Sequence, residues 1–106
     1  MALRIKPNAN LTLEIGEEVP YELSMVDHLD GDTVASHTMT ITDSGGGDVT
    51  SNFDGGSSES SGILSFGIKA YATGTYSIVF WVTCNEELPD GTTPREFKVT
   101  FTLTVS

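Results

Sequence analysis

The side chains with the greatest potential for chemistry lie in one short segment, residues 26–33, with the sequence VDHLDGDT. It places the carboxylates of Asp27, Asp30 and Asp32 around His28, and calcium prefers such oxygen ligands. A recognisable calcium loop, however, has acids at alternating positions and a distant bidentate glutamate, and this segment lacks that spacing. Aspartate and glycine also favour turns by themselves. The segment therefore predicts a turn, and we assign no metal site to it.

No set of residues predicts catalysis. A catalytic serine needs a positioned base and an oxyanion pocket, whereas the serines of 57–61 lie in a run with the composition of a loop. His37 falls on the apolar side of a predicted strand, where we expect it to be partly buried and hydrogen-bonded. The run SGGGD at 44–48 lacks the lysine and the following helix of a phosphate-binding loop. The sequence therefore predicts no enzyme activity, no catalytic residue and no cofactor.

The charge balance argues against nucleic acid as a partner. The chain has fifteen acidic and five basic residues in 106, a formal charge of −10. A protein that follows phosphates needs a basic stripe, and here the bases are scattered. No stretch is long and apolar enough to span a membrane, and the first ten residues lack the apolar region of a signal peptide. We expect that the chain does not insert into a membrane and that it is made without a signal peptide.

Two stretches near the C-terminus predict the fold class. Residues 75–84 (TYSIVFWVTC) and 96–105 (EFKVTFTLTV) alternate apolar and polar side chains with a period of two. That period puts one side of a β-strand on a core and the other in water. The residues between them are rich in turn formers, so the pair predicts a hairpin. The lone cysteine, Cys84, falls on the inward side and is expected to act as a small buried hydrophobe.

The rest of the chain predicts four or five further strands and one long loop. Residues 42–62 are dense in Gly, Ser and Asp, the composition of a flexible loop. Val49 and Phe53 interrupt this composition, and a short strand at that point is the alternative. Residues 34–41 are predicted to form a strand, with the side of Ala35, His37, Met39 and Ile41 facing inward. The other predicted strands are residues 3–6, 11–15, 19–25 and 63–70. We predict one all-β domain over residues 1–106, a two-sheet antiparallel β-sandwich.

A local motif makes the prediction more specific. The sequence Ala72-Thr-Gly-Thr-Tyr76 puts a tyrosine just after a glycine turn, at the start of a long apolar strand. This matches the tyrosine corner of immunoglobulin-like sandwiches. Ile78 stands where antibody domains have a cysteine, so the disulfide of those domains is absent. The fold class we predict is therefore an immunoglobulin-like architecture.

Val79 and Trp81 are the candidate partner-binding residues. Both fall on the side of their strand that faces away from the predicted core, between Ser77 and Thr83. Exposed aromatic residues anchor interfaces. Phe53, in the long loop, is the third candidate. The alternative is that the long loop folds over Trp81 through Phe53, and the sequence does not decide between the two. A sheet edge extended by a partner's strand is a further possibility.

Over residues 19–105 the chain resembles small immunoglobulin-like β-sandwich proteins that tailed bacteriophages and prophages encode, often among virion structural genes. Three blocks carry the resemblance. They are DGDTVAS at 30–36, which leads from a turn into a strand, TGTY at 73–76, which enters a long strand, and the terminal strand REFKVTFTLTV at 95–105. No catalytic motif comes with it.

The resemblance implies a non-enzymatic structural protein of the virion, made in the bacterial host cytoplasm. Its first expectation is a capsid decoration or stabilising protein that binds the head exterior, with the major capsid protein or other virion proteins as partners. A homo-oligomer is compatible with this role. The alternatives are a neck or tail component at the head–tail junction and a bacterial cell-surface immunoglobulin-like adhesion module. A sugar-binding domain would need exposed aromatic residues along a groove.

Overall fold

A computed structural model describes residues 2–106 of the chain. Within that range it has eight strands and two one-turn helices. The elements, in chain order, are β1 (Leu3–Ile5), β2 (Asn10–Leu13), β3 (Glu18–Ser24), α1 (Val26–Leu29), β4 (Val34–Asp43), α2 (Thr50–Phe53), β5 (Asp54–Ser60), β6 (Ile63–Lys69), β7 (Gly74–Glu87) and β8 (Pro94–Val105). The predicted hairpin at the C-terminus is confirmed as β7 and β8.

The strands form two four-stranded sheets. Sheet A has the order β1-β3-β6-β5, and sheet B has the order β2-β8-β7-β4. The predicted two-sheet sandwich is confirmed, with one difference in strand direction. The edge strands β1 and β2 run parallel to their neighbours β3 and β8, whereas the other pairs are antiparallel. Both sheets are therefore mixed. The N-terminal chain adds β1 to the edge of sheet A, crosses over, and adds β2 to the edge of sheet B.

The strand order is that of an immunoglobulin domain. Such domains place strands A, B, E and D in one sheet and C, F and G in the other, and sheets A and B follow this arrangement with β2 added beside the last strand. The tyrosine corner is confirmed. The Tyr76 hydroxyl donates a hydrogen bond to the Ala72 carbonyl at 2.9 Å and lies 3.1 Å from the Thr73 carbonyl oxygen. It fixes the passage from sheet A to sheet B.

The core lies between the sheets and is lined by the inward side of each alternating strand. Phe66 of sheet A packs against Phe80 and Phe101 of sheet B, with ring centroids 4.8 and 5.6 Å away. Cys84 is buried, as the sequence predicts. Burial, followed by the nearby Asp32 carboxylate, raises the pKa of the Cys84 thiol, so the thiol is protonated and unreactive at neutral pH.

The prediction of a long flexible loop over residues 42–62 is wrong. β4 runs to Asp43, whose carboxylate accepts hydrogen bonds from the Gly45 and Gly47 amides at 3.0 and 2.8 Å and so closes a tight turn. α2 follows, and then β5 pairs with β6. The composition misled the prediction because β5 is an exposed edge strand. Its inward positions are Ser57 and Glu59 rather than apolar residues, so the period of two leaves no hydrophobic signal.

Two smaller expectations also change. A bulge between Val34 and Ser36 turns Ala35 outward, so Val34 instead takes the inward position at the start of β4. Residues 26–33 form a turn as expected, but its first part winds into the helix α1.

Candidate interaction surfaces

Val79 and Trp81 lie on the outer face of sheet B, as the alternation in β7 predicts. Trp81 is 47% exposed, and Val79 is partly exposed. Lys98, the cross-strand neighbour of Trp81, holds its ammonium 5.6 Å from the centre of the indole ring. This cation–π contact fixes the orientation of the ring while leaving about half of its surface in water.

Phe53 does not belong to that surface, so this candidate is corrected. It is 1% exposed and packs in the core, with its ring centre 4.4 Å from that of Tyr76 and 6.2 Å from that of Tyr71. The one turn of α2 drives it inward, where its burial holds the 44–53 segment against the sandwich. It therefore neither reaches a partner nor covers Trp81. Its sequence surroundings, which are almost all polar, concealed this role.

The whole outer face of sheet B is rich in threonine, and we call it the threonine face. Its strand positions follow from the register of β2, β8, β7 and β4. We take the face to end at the bulge that follows Thr83 in β7, with Glu87 beyond it; up to there its ionisable side chains are Glu96 and Lys98, which carry opposite charges. The other members are Thr12, Thr38, Thr40, Thr42, Thr75, Thr83, Thr100, Thr102, Thr104, Ser36, Ser77, Asn10, Val79 and Trp81. A chain of charge −10 thus presents a broad face without net charge.

A second surface lies at one end of the sandwich, where α1 and the β7–β8 hairpin meet, and we call it the loop end. Arg95 organises it. Its guanidinium donates to the Leu29 carbonyl at 2.9 Å and to the His28 carbonyl, and it lies 3.6 Å from the Asp32 carboxylate. The His28 ring stacks on Phe97 with centroids 5.3 Å apart. These contacts tie residues 26–33 to the start of β8.

The carboxylate of Asp32 is fully engaged by protein groups. Its side chain is 4% exposed and accepts hydrogen bonds from the amides of Thr33 at 2.7 Å and Glu86 at 3.1 Å, in addition to its ion pair with Arg95. Asp27 and Asp30 lie in the same segment and are exposed. Across residues 2–106, the structure groups no three His, Cys, Asp or Glu side chains in a way that would hold a metal ion.

A groove of about 460 Å³ opens at the loop end. Its apolar lining comes from Val26, Leu29 and Val34, and its other wall comes from residues 59–62 at the end of β5. Glu59 in that wall accepts a hydrogen bond from the Gly62 amide at 2.8 Å. The sequence gives no sign of the groove, because it forms between segments that lie about thirty residues apart and meet only in the fold.

His37 links the two sheets where the edge strand β4 of sheet B faces the edge strand β5 of sheet A. Its Nε2 lies 3.0 Å from the Ser57 hydroxyl of β5, and its ring centre lies 6.5 Å from that of Phe80. The expectation of a partly buried, hydrogen-bonded histidine is confirmed. The contact also shows that the edge strands β4 and β5 lie on the same side of the sandwich.

None of the helices in residues 2–106 has the length and apolar character needed to cross a membrane. No family model matches the sequence, and no curated protein matches it either.

Solved structures share the fold. The cysteine protease inhibitor EhICP2 from Entamoeba histolytica is 13% identical, with a TM-score of 0.54 over 97% of this chain and 93% of that one. PbICP-C, solved in complex with falcipain-2, is 15% identical, with a TM-score of 0.52 over 99% and 98% of the two chains. Part of a family 123 glycoside hydrolase from Clostridium perfringens is also similar, at 15% identity and a TM-score of 0.51, but this chain covers only 23% of it. At these identities the likeness shows the β-sandwich fold alone.

Proposed function

We propose that the chain is a non-enzymatic binding module that serves as a structural protein of a tailed-phage particle, bound to the head exterior as a decoration protein. The observation that carries the proposal is the threonine face, with Trp81 and Val79 near its centre and no net charge. The resemblance of residues 19–105 to small virion proteins supplies the biological setting.

The composition of the threonine face suits a protein contact. The cores of interfaces are depleted in charged residues and enriched in aromatic ones, and they are most often anchored by Trp, Tyr or Arg. The face is four strands wide. At about 4.8 Å between strands and about 3.3 Å per residue, the four residues of β2 and about ten of each other strand give roughly 540 Å², which per partner is close to the lower end of specific interfaces.

The excess of acidic residues suits a protein that is displayed in many copies. With the threonine face against the particle, the charged surfaces, including sheet A, would point to solvent and oppose random aggregation. A protein that binds the assembled shell and not its free subunits stabilises the shell by mass action. No covalent chemistry is needed for this role.

The test is co-sedimentation of the purified chain with particles that lack it. Trp81→Ala should weaken binding at least about tenfold, the loss expected when an interface anchor is truncated. Tyr71→Ala is the matched control, because Tyr71 is 62% exposed but lies outside the threonine face. If Trp81→Ala is folded and binds as well as the wild type, the proposal is contradicted.

A second candidate function is inhibition of a cysteine protease. The observation that favours it is the loop end, where α1 and the turn after β5 line one groove. The β7–β8 hairpin lies beside them, tied to Leu29 and Asp32 by hydrogen bonds, so the three segments form one projecting end that fits a cleft. EhICP2, which shares the fold, is a cysteine protease inhibitor. Titration of papain with the chain tests the idea: stoichiometric loss of activity would support it, and full activity at a large excess of the chain would reject it.

A further inference from the structure

The four edge strands of the sandwich differ in how they are protected. Exposed edges invite pairing with other chains, and proteins guard them with short length, charge, proline, glycine or bulges. β1 is three residues long and carries Arg4, and β2 is four residues long. β5 has a bulge, glycines and two acids. β4 is ten residues long and has one bulge at its start, between Val34 and Ser36. From residue 36 to residue 42 it carries neither a bulge, a charged residue, a proline nor a glycine.

Part of the β4 edge is already used by the chain itself. Beyond β4, the Val49 amide donates to the Ile41 carbonyl at 2.8 Å, and the Asp43 amide donates to the Gly47 carbonyl at 2.9 Å. The backbone groups of Ile41 and Asp43 therefore point away from β7. The backbone groups of successive residues in a strand point to opposite sides, so every second residue shares a direction. Those of His37 and Met39 therefore also point away from β7. Within residues 2–106 these groups have no backbone partner.

The open stretch leads into the groove at the loop end. Val34, at the start of β4, is part of the groove lining, together with Leu29 and Val26. His37 is three residues from Val34, which corresponds to about 10 Å along an extended strand. A segment paired with His37 and Met39 would therefore place its next apolar side chain over the groove. The architecture allows such an extension, since variable-type immunoglobulin domains add strands to this sheet.

The charges around the groove set a further requirement. Glu59 lines it, and Asp27 and Asp30 are exposed on the adjoining segment. Arg95, the basic residue at this end, is engaged by Asp32 and by two carbonyl groups. A ligand that enters here meets a negative field, which favours a basic residue beside the apolar one.

We propose that the open side of β4 and the adjoining groove form a peptide-binding site, which takes an extended segment of a partner protein by strand addition. The segment adds a fifth strand to sheet B next to β4, places an apolar side chain in the groove and carries a lysine or arginine at that end. The site borders the threonine face along β4, which contributes Ser36, Thr38 and Thr40 to that face, but it does not depend on the function proposed for the face. Backbone pairing supplies most of the affinity, and the groove supplies the selectivity.

The experiment is an NMR titration of the ¹⁵N-labelled chain with a capped six-residue peptide, KVTVTV. At about 1 mM peptide, the range of weak binding, the amides of His37 and Met39 should shift in the direction of new hydrogen bonds, and those of Leu29 and Thr33 should shift with them. EVTVTV, which reverses the charge, should bind several-fold more weakly.

Two controls separate strand addition from other binding. KVTVTV that is N-methylated on every residue cannot donate along either edge, and its methyl groups prevent close approach to β4, so it should lose the shifts at His37 and Met39. Met39→Pro removes an amide that faces the open edge without affecting the ladder to β7, and it should abolish binding. If the variant fails to fold, the methylated peptide still decides the matter. Absence of shifts, shifts centred on Trp81, or equal binding of the methylated peptide would each overturn the proposal.

Discussion

The outer faces of the two sheets have different surface chemistry, although both belong to exposed four-stranded sheets of one small domain. On sheet A, Arg4 and Glu22 form an ion pair at 2.9 Å, and Glu18 lies opposite Lys69. On sheet B, threonine fills most positions, and Trp81 stands near the middle of the face. Threonine favours strands wherever it occurs, so propensity alone does not account for the difference.

The two faces differ in the number of charged side chains they carry and in whether they expose a tryptophan. Sheet A is built like a face that stays in water, with charges of both signs and weak surface ion pairs. The threonine face of sheet B carries one pair of opposite charges, in a chain where acids outnumber bases three to one. An exposed tryptophan within a face that has few charges and no net charge is typical of an interface core. The comparison therefore favours sheet B as the face that makes the particle contact we propose.

The largest expected effect is on stability, and it compares the inner and the outer side of sheet B. Phe80 and Trp81 are adjacent in β7, but Phe80 is 0% exposed and Trp81 is 47% exposed. Phe80→Ala should lower the free energy of unfolding by about 3–5 kcal/mol, because it leaves a cavity in the aromatic core. Trp81→Ala should cost less than about 2 kcal/mol, since much of the side chain already lies in water. Urea denaturation measures both, and similar losses would mean that Trp81 is a core residue.

The next effect concerns binding and compares the two outer faces directly. Val79→Glu puts a charge in the middle of the threonine face, and Ser65→Glu puts the same charge on the outer face of sheet A. Val79→Glu should reduce binding to particles by at least about tenfold, since an unpaired charge buried in an interface costs more than 1.4 kcal/mol. Ser65→Glu should leave binding unchanged. The reverse pattern in the co-sedimentation assay would assign the contact to sheet A.

A smaller effect is expected at the connection between the two sheets. Tyr76→Phe removes the hydroxyl that bonds the Ala72 carbonyl at 2.9 Å. The loss of this hydrogen bond should lower the free energy of unfolding by about 1 kcal/mol. Tyr71→Phe is the control, because the structure gives its hydroxyl no hydrogen-bond partner in the described chain and it is 62% exposed. Equal stability of the two variants would show that the tyrosine corner adds nothing here.

The smallest effect lies in the β7–β8 hairpin of sheet B. Hydrogen bonds from the Thr93 hydroxyl and the Thr92 and Thr93 amides lower the pKa of Asp90 from 3.8 to about 2. A lowered pKa in the folded state stabilises the fold above the unfolded value and loses that contribution as the pH falls from about 4 to about 2. An NMR titration of the Asp90 carboxyl should therefore give a midpoint near 2. A midpoint near 3.8 would mean that the hairpin turn is open in solution.

The sequence predicts those parts of the molecule where one side of a strand meets the core. β7 and β8 are predicted almost to their ends, because each inward position is apolar. The tyrosine corner is predicted too, since its signal is local. β5 is missed because its inward residues, Ser57 and Glu59, are polar, and only pairing with β6 defines it.

The candidate sites divide in the same way. The outward position of Val79 and Trp81 follows from alternation within one strand, so the sequence predicts it. The burial of Phe53 depends on its packing against Tyr71 and Tyr76, residues distant in sequence, and the groove depends on the meeting of α1 with the end of β5. Contacts of this kind leave no periodic pattern, which is why they appear only in the structure.

The central proposal is that the chain is a component of a virion. Quantitative mass spectrometry of virions purified from cells that carry its gene tests the proposal most directly. The account predicts that the chain is present at a copy number near that of the major capsid protein. A number closer to one ring of subunits would move it to the head–tail junction. Its complete absence from the particles would contradict the account.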